Sequence, residues 1–428
     1  KIGELLTCLD NLITLHQREC ISFTARAGRL ILTANKKRNT SSWEQRKLSE
    51  MCGTFEYGLN ASAKEFDGKN KYIRITDIDD VSREFLLSDL SSPDICLDGM
   101  SKYLLSSGDV VFARTGASVG KTYIYRENDG IVYFAGFLIR AKVNQDNDAE
   151  FVFQSTLSPS YEKYIRITSQ RSGQPGVNAQ EYGEYDLFAP SKEEQQRIGH
   201  FLRGIDNLIT LHQRKFEKLT NVKKSMLEKM FPKDGADVPE VRFKGFTDPW
   251  EQRKFGDVFE EYSEKNRADL PPLTIIQGSG TIRRDESERA LQYDKASLSN
   301  YKVVNEGDLI VHLRSFEGGL EKANSQGIIS PAYHTFHGEG VDSRFYYTYF
   351  RSKNFIDTDL KPHVYGIRDG RSIDIEGMKT IEIPFTSYPE QKLIGDAIDS
   401  VNTLISLQRR ELEKLQSIKK SLLEKMFV

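Results

Sequence analysis

The clearest pattern of apolar and polar positions is a heptad repeat that the chain carries twice. The first copy runs from Ile198 to Phe231 and the second from Ile394 to Phe427, without a gap and with each residue 196 positions after its counterpart. Apolar residues at every seventh position over more than four turns are typical of coiled-coil helices. Two equivalent copies in one chain predict that the helices pair antiparallel, although two amphipathic helices in separate cores would give the same pattern. The predicted pairing positions are Ile198, Phe201, Ile205, Leu208, His212, Leu219 and Met226 in the first copy, and Ile394, Val401, Leu404, Gln408, Leu415 and Leu422 in the second.

One position of the heptad stripe is polar in both copies. His212 and Gln408 are equivalent residues, 196 positions apart. A polar pair within an apolar helix seam fixes the register of pairing. We therefore interpret this pair as a register-setting layer rather than as a catalytic or metal site.

A third, partial copy of the repeat stands at the N-terminus. The segment from Ile2 to Arg18 shares the unbroken string DNLITLHQR with the first full copy, but after Arg18 the similarity ends. The first residue is Lys1 and already fits the inside of a helix, so we expect the natural start to lie upstream. The sequence leaves the folding of residues 1–42 open.

The stretches between the helices predict two α/β domains of variable sequence. Each begins with a WEQRK string, at Trp43 and Trp250, and each contains a Gly-Asp turn that leads into a β-branched run, GDVVFARTG and GDLIVHLRS. Each ends at an acidic, glutamine-bearing helix start, SKEEQQRIG and PEQKLIG. The predicted fold class is α+β, with two α/β domains separated by two long antiparallel coiled-coil helices in a pseudo-twofold duplication. The predicted division is residues 1–42 (partial helix copy and linker), 43–190 (first domain), 191–233 (central helix), 234–249 (linker), 250–388 (second domain) and 389–428 (C-terminal helix).

Composition narrows the function classes. The 428 residues hold 60 Lys and Arg against 62 Asp and Glu, a net charge of −2, which excludes a histone-like polycation and leaves locally segregated positive charge as the route to nucleic acid. The four cysteines form no CxxC pair, and no apolar run approaches the length of a membrane span. We expect a cytoplasmic protein without disulfides.

Catalytic and metal-binding motifs are absent from the sequence. TGASVGKT, which begins at Thr115, has three residues between its first two glycines where a P-loop needs four. His334 and His337 lack further ligands nearby in sequence, so we expect structural roles and no metal site. No serine-hydrolase elbow, zincin motif or dinucleotide fingerprint is present. The sequence therefore predicts a protein that is not an enzyme.

Both variable domains offer polar residues of the kind that read DNA. Arg and Lys suit guanine edges and phosphates, and Asn and Gln suit adenine edges, because each pairing satisfies two hydrogen bonds at once. In the first domain the candidates are Arg74, Arg114, Thr115, Ser118, Lys121, Arg166, Gln170, Arg171, Gln174 and Asn178. In the second they are Arg283, Arg284, His312, Arg314, Ser315, Tyr365, Arg368, Arg371 and Ser372. Each of them could equally be an ordinary exposed loop residue.

The layout of residues 43–428 resembles the specificity (S) subunits of type I restriction-modification systems. The resemblance rests on four features: the two variable domains between duplicated helices, the GDVVFARTGASVGK stretch, the two helix starts and the KKSxLEKMF helix ends. The resemblance implies that each variable domain is a target recognition domain for one half of a split DNA site. It further implies that the helices set the spacing of the two halves and dock two adenine methyltransferase (modification) subunits, beside ATP-dependent restriction subunits.

The same resemblance implies that no cofactor belongs to this chain. S-adenosylmethionine would belong to the modification subunits and ATP with Mg²⁺ to the restriction subunits. Two other hypotheses stay open at this point. One is a non-catalytic coiled-coil scaffold that binds other proteins, and the other is a single-chain restriction enzyme.

Overall fold

A computed structural model describes residues 43–171, 173–233, 236–287, 295–366 and 371–427. Of the sequence predictions, the N-terminal helix copy and Arg368 lie outside these described residues.

The first domain, residues 43–190, is built on a four-stranded antiparallel sheet with the strand order β2-β9-β6-β7. Three two-stranded sheets surround it, of which β4 and β8 form a parallel pair. The strands are β1 (Glu44–Lys47), β2 (Cys52–Tyr57), β3 (Ala63–Glu65), β4 (Lys71–Ile73), β5 (Ser91–Pro93), β6 (Val110–Ala113), β7 (Thr122–Ile124), β8 (Val132–Phe134), β9 (Leu138–Val143) and β10 (Asp186–Ala189). The helices are α1 (Leu48–Met51), α2 (Ala149–Ser155), α3 (Pro159–Thr168) and α4 (Ala179–Gly183). The first long helix, α5 (Lys192–Lys229), follows directly.

The second domain, residues 250–387, repeats this plan. Its four-stranded antiparallel sheet has the order β12-β19-β16-β17, in which every strand has a counterpart at the same place in the first sheet. The strands are β11 (Glu251–Lys254), β12 (Glu260–Tyr262), β13 (Leu273–Ile276), β14 (Gly280–Arg283), β15 (Lys302–Val304), β16 (Leu309–Val311), β17 (Glu321–Lys322), β18 (Gly327–Ile329), β19 (His334–His337), β20 (Val364–Tyr365), β21 (Ser372–Ile373) and β22 (Glu382–Phe385). The helices are α6 (Phe255–Val258), α7 (Ser315–Gly318), α8 (Ser343–Tyr349) and α9 (Ile375–Lys379), and the second long helix is α10 (Tyr388–Met426).

Each domain closes on itself beside its long helix. The WEQRK strand that opens the domain pairs antiparallel with the strand that ends it, β1 with β10 and β11 with β22. Both ends of a domain therefore meet at the start of a long helix, which is the geometry of an inserted module.

The chain divides into two compact units, and each combines a domain with parts of both long helices. The first unit consists of residues 43–215 and 408–427, and the second consists of residues 216–407. The boundaries of the units therefore fall within α5 and α10. The physical reason lies in the helix ends, which are built into the domain cores.

In the first unit, the end of α10 is part of the core. Leu422, Leu423 and Phe427 pack with Leu202 of α5 and with Phe151 of the domain, whose ring centroid lies 5.2 Å from that of Phe427. The two helices run antiparallel here, because Asp206 pairs with Lys419 at 2.5 Å and, further along α5, His212 pairs with Gln408 at 2.8 Å.

The second unit repeats this construction with the end of α5. Phe231 lies 5.0 Å from Phe345 and 6.1 Å from Trp250, measured between ring centroids. Val401 and Leu404 of α10 pack with Leu219 and Met226 of α5. Among the described residues, no helix has both the length and the apolar character that crossing a membrane requires.

Candidate nucleic-acid interface

Two loops of the first domain are joined where β6 ends. Thr115 forms an isolated bridge with Gly176, the Gly116 N–H donates to the Pro175 carbonyl at 3.0 Å, and the Val177 N–H donates to the Arg114 carbonyl at 2.9 Å. Gly116 has a φ of 70°, a conformation that L side chains rarely adopt. The bonds therefore bring Arg114 and Thr115 together with the loop that carries Gln174.

Arg114 lies over one exposed aromatic ring and is bonded through its backbone to the residue that carries another. Its guanidinium lies 5.0 Å from the ring centroid of Tyr57, at the end of β2, and its backbone N–H donates to the Phe137 carbonyl at 3.0 Å. Tyr57 is 45% exposed and Phe137 is 59% exposed. Among the described residues, no carboxylate lies within ion-pair distance of Arg114. We call Tyr57, Arg114, Phe137 and Gln174 the β6-end cluster.

Sequence reasoning found Arg114 and Gln174 of this cluster but missed both aromatic residues. Phe137 occupies the turn between β8 and β9, in the string FAGFL, where every neighbouring aromatic or aliphatic residue is expected in the core. Its exposure is visible only once the register of β9 against β6 places Leu138 inward and opposite Ala113.

Four other candidates of the first domain have local partners. Arg74 forms two hydrogen bonds with Asp77, at 2.8 and 2.9 Å, and Lys121 forms an ion pair with Asp80 at 2.5 Å. The other two are engaged near α4: Arg171 pairs with Glu181, and Asn178 forms a capping box with the same glutamate. Of the rest, Ser118 is partly exposed, and Arg166 and Gln170 are exposed.

In the second domain, the corresponding strand end also meets a second segment of candidates. Arg371 stacks on Phe316 of α7, with 4.5 Å between its guanidinium and the ring centroid. Tyr365 and Ser372 lie opposite each other in the β20–β21 pair, and Tyr365 is 58% exposed. The structure therefore brings the segment of His312, Arg314 and Ser315 to the segment of Tyr365, Arg371 and Ser372.

His312 and Ser315 have structural contacts at this place. The Ser315 hydroxyl accepts a hydrogen bond from the His312 N–H at 2.9 Å, and His312 Nδ1 accepts one from the Arg314 N–H at 3.3 Å. Burial, with a contribution from Arg351, lowers the pKa of His312 to about 4. The imidazole is therefore neutral at physiological pH and carries no charge toward a phosphate.

The two remaining arginines lie on the β13–β14 hairpin and just after it. Arg283 pairs with Asp285 at 3.0 Å, and the Arg284 guanidinium lies 5.2 Å from the ring centroid of Tyr301. The fully buried Glu321 holds the turn of this hairpin, because it accepts hydrogen bonds from the N–H groups of Gly278 and Gly280.

The candidate helix-pairing residues are mostly buried. His212 and Gln408 are 6% and 4% exposed and hydrogen-bonded to each other. The buried apolar members are Ile198, Ile205, Ile394, Val401, Leu404, Leu415 and Leu422, and the partly buried ones are Phe201, Leu208, Leu219 and Met226.

No cluster of three or more metal-ligating side chains is found in the described part of the chain. His334 and His337 instead pair with single carboxylates, Glu261 at 2.7 Å and Asp308 at 2.8 Å.

Comparison with known proteins shows what the sequence around this site is similar to. Residues 40–221 match the sequence model of the type I restriction modification DNA specificity domain. These residues are therefore similar to that specificity domain. The specificity-domain match spans the first domain with its β6-end cluster and most of α5.

The similarity extends over most of the chain. Two relatives come from Methanocaldococcus jannaschii. A protein named as the type I restriction enzyme MjaX specificity subunit is 23% identical over 403 residues, which cover 89% of this chain and 92% of the relative. The type I restriction enzyme MjaVIII specificity subunit is 23% identical over 363 residues, covering 80% and 83%.

The fold has a solved counterpart in the crystal structure of a type I restriction-modification S subunit from M. genitalium. The two share a TM-score of 0.62 at 12% identity, over 91% of this chain and 97% of the other. The predicted architecture of two α/β domains and long antiparallel helices is therefore confirmed, as is the resemblance to type I specificity subunits. The comparisons favour DNA recognition over the scaffold hypothesis.

Proposed function

We propose that this chain is the DNA sequence-recognition subunit of a type I restriction-modification complex, in which each domain reads one half of a bipartite site. The observation that carries the proposal is the β6-end cluster within the family-matched region. It offers a cation, an amide and two exposed aromatic rings at one end of a sheet.

The chemistry of the cluster suits a DNA groove. An arginine supported on an aromatic ring can present its two parallel donors to a guanine edge, a glutamine can do so to adenine, and an exposed phenyl ring can contact a thymine methyl group. The cluster is anchored to the strand ends β2, β6 and β9, which fixes these groups relative to one another.

We propose no catalytic role for the chain itself. Methylation would come from two modification subunits that bind S-adenosylmethionine, and cleavage from restriction subunits that use ATP and Mg²⁺. The long helices are the proposed docking elements for these partners and the spacer between the half-sites.

The test is to purify the chain with its modification subunits, methylate a genome that lacks the mark and map the modified adenines by long-read sequencing. A split motif, with two short specified halves around an unspecified gap, is the expected result. Absence of any motif from a verified intact complex would contradict the proposal and favour the scaffold hypothesis.

A single substitution tests whether the β6-end cluster reads one half of the site. Arg114→Ala should weaken methylation of the site by about 5- to 150-fold, the equivalent of one lost bidentate base contact at about 1–3 kcal/mol. Arg46→Ala, on β1, is the matched control, because Arg46 contacts Glu50 and β1 belongs to a different sheet from β2, β6 and β9. Equal effects of the two variants would remove Arg114 from the recognition site.

A further inference from the structure

The contact between each domain and the start of its long helix is built twice from the same parts. In the first unit, the buried Gln195 of α5 accepts a hydrogen bond from the Asp148 N–H at 3.0 Å. In the second unit, the buried Gln391 of α10 accepts one from the Asp342 N–H at 2.9 Å. Asp148 and Asp342 are the N-caps of α2 and α8. We call these two contacts the domain–helix joints.

A glycine lies at the centre of each joint. A Cβ placed on Gly199 would lie 2.5 Å from Asp148 Oδ1 and 3.1 Å from the Glu150 Cβ. A Cβ placed on Gly395 would lie 3.0 Å from Asp342 Oδ1 and 3.3 Å from the Arg344 Cβ. The domain residue two positions after the N-cap therefore rests on the helix glycine in both units, and the two joints are geometrically equivalent.

At this equivalent position the two domains carry opposite charges. In the second unit, Arg344 of the domain binds Asp396 of α10 at 2.6 Å and Asp399 at 3.5 Å. In the first unit, the same place holds Glu150, and the helix positions that correspond to the two aspartates hold His200 and Arg203.

The first joint is consistent with this reversal. Glu150 forms an ion pair with Arg126 of its own domain at 3.0 Å. Burial raises the pKa of Glu150 and Asp206 of α5 adds to that rise, whereas Arg126 and Arg203 of α5 oppose it. Geometry places Arg203 on the same side, because it follows by one helical turn the Gly199 against which Glu150 rests, with 3.1 Å between a Cβ on that glycine and the Glu150 Cβ.

We propose that the two recognition domains are matched to their own helices by opposite charge, acidic domain against basic helix in the first joint and basic domain against acidic helix in the second. A domain moved to the other position would bring Glu150 to Asp396 and Asp399, or Arg344 to Arg203. Like charges in contact are destabilising. The repulsion would therefore disfavour a domain in the wrong position. The consequence for DNA specificity rests on the proposed function, whereas the charge matching itself does not.

The main test is a pair of full-length chimeras in which residues 43–190 and 250–387 are exchanged. One chimera keeps the helices unchanged. The other also carries the matching helix residues, as His200→Asp, Arg203→Asp, Asp396→His and Asp399→Arg. The two chimeras are identical at all other positions, including Phe231 and Phe427 at the helix ends. A difference between their melting temperatures therefore reports the charge match alone.

The matched chimera should melt at a higher temperature, by about 2 to 8 °C for a unit of this size. The difference should shrink between about 0.1 M and about 1 M salt, because screening lengths fall from about 10 Å to about 3 Å. Equal melting temperatures at low salt would overturn the proposal. Melting requires no DNA, so this result is independent of whether the chain recognises DNA. With the modification subunits, the matched chimera should methylate a motif with its two halves in reversed order.

A second measurement keeps the proposal testable if neither chimera folds. In the natural chain, Arg344→Glu and the helix pair Asp396→His with Asp399→Arg should each lower the melting temperature. The combined variant should lose less than the sum of the two losses, because the reversed charges attract again. Reversal of the exposed Arg409–Glu413 pair on the same helix is the control for general charge effects. Additive losses at the joint would overturn the proposal.

Discussion

Replacing Gly199 by alanine is expected to destabilise the first unit, because α5 touches the first domain at this glycine with no room for a methyl group. The new Cβ would lie 2.5 Å from Asp148 Oδ1 and 2.9 Å from the backbone nitrogen of Phe151. The aspartate cannot turn away without cost, since the same oxygen accepts the hydrogen bond that caps α2. The helix or the domain must therefore shift.

The size of the effect follows from two opposing contributions. Overpacking of a close-packed site costs about 1–3 kcal/mol. Alanine in place of glycine inside a helix raises the free energy of unfolding by about 0.5–1 kcal/mol. Gly204→Ala, five positions further along α5, isolates the second contribution, because a Cβ there would meet nothing within 4 Å.

The assay is thermal or urea unfolding of the full chain with each substitution. Gly204→Ala should stabilise by about 0.5–1 kcal/mol, and Gly199→Ala should be about 1–3 kcal/mol less stable than that control. For a unit of this size, each kcal/mol corresponds to about 2–4 °C in melting temperature. If Gly199→Ala were as stable as Gly204→Ala, the joint would not be the tight contact that we describe.

Two further predictions concern buried and partly buried carboxylates. Glu321→Ala should destabilise the second unit by about 3–5 kcal/mol, because it leaves Arg351 and Tyr347 without their buried partner. Denaturant unfolding measures this loss. A loss below about 1 kcal/mol would show that these contacts of Glu321 do not stabilise the unit. Glu56 should contribute to acid sensitivity, because the hydrogen bond from Arg140 lowers its pKa. Its stabilising effect is complete above the ordinary glutamate pKa and disappears as the pH falls through the lowered one, so Glu56→Gln should flatten the acid limb of a stability-versus-pH curve. An unchanged limb would refute the assignment.

The long helices were predictable because their signal is long and periodic. The heptad pattern places α5 at 191–233, and the structure has it at Lys192–Lys229. What the pattern could not show is that Phe231 and Phe427, at the helix ends, enter domain cores formed by residues far away in sequence. Apolar residues at the end of a heptad stripe look alike whether they pair with a helix or with a domain.

The residues of the DNA interface were only partly predictable, because side-chain type does not determine the local partner. Arg74 and Arg114 both follow buried strands in the sequence, yet Arg74 is held by Asp77 whereas Arg114 stacks on Tyr57. Phe137 is an aromatic residue in an apolar string and would be assigned to the core on composition alone. A local turn decided the case of Arg74. Strand register decided those of Arg114 and Phe137, and register is not encoded in a short pattern.

The two halves of the recognised DNA site are expected to differ in sequence, because equivalent strand ends present different chemistry. Arg114 lies six residues after the glycine of the GDVVFAR turn, and the residue at the same place after the glycine of GDLIVHL is Leu313. Leu313 is 67% exposed, so one sheet ends in a cation and the other in an aliphatic group. A guanidinium favours guanine or phosphate, while an aliphatic group favours the thymine methyl. The map of methylated adenines checks this directly. Two identical half-sites would mean that the strand ends do not read the bases, and recognition would then have to be sought in the exposed segments of Arg166 and Tyr365.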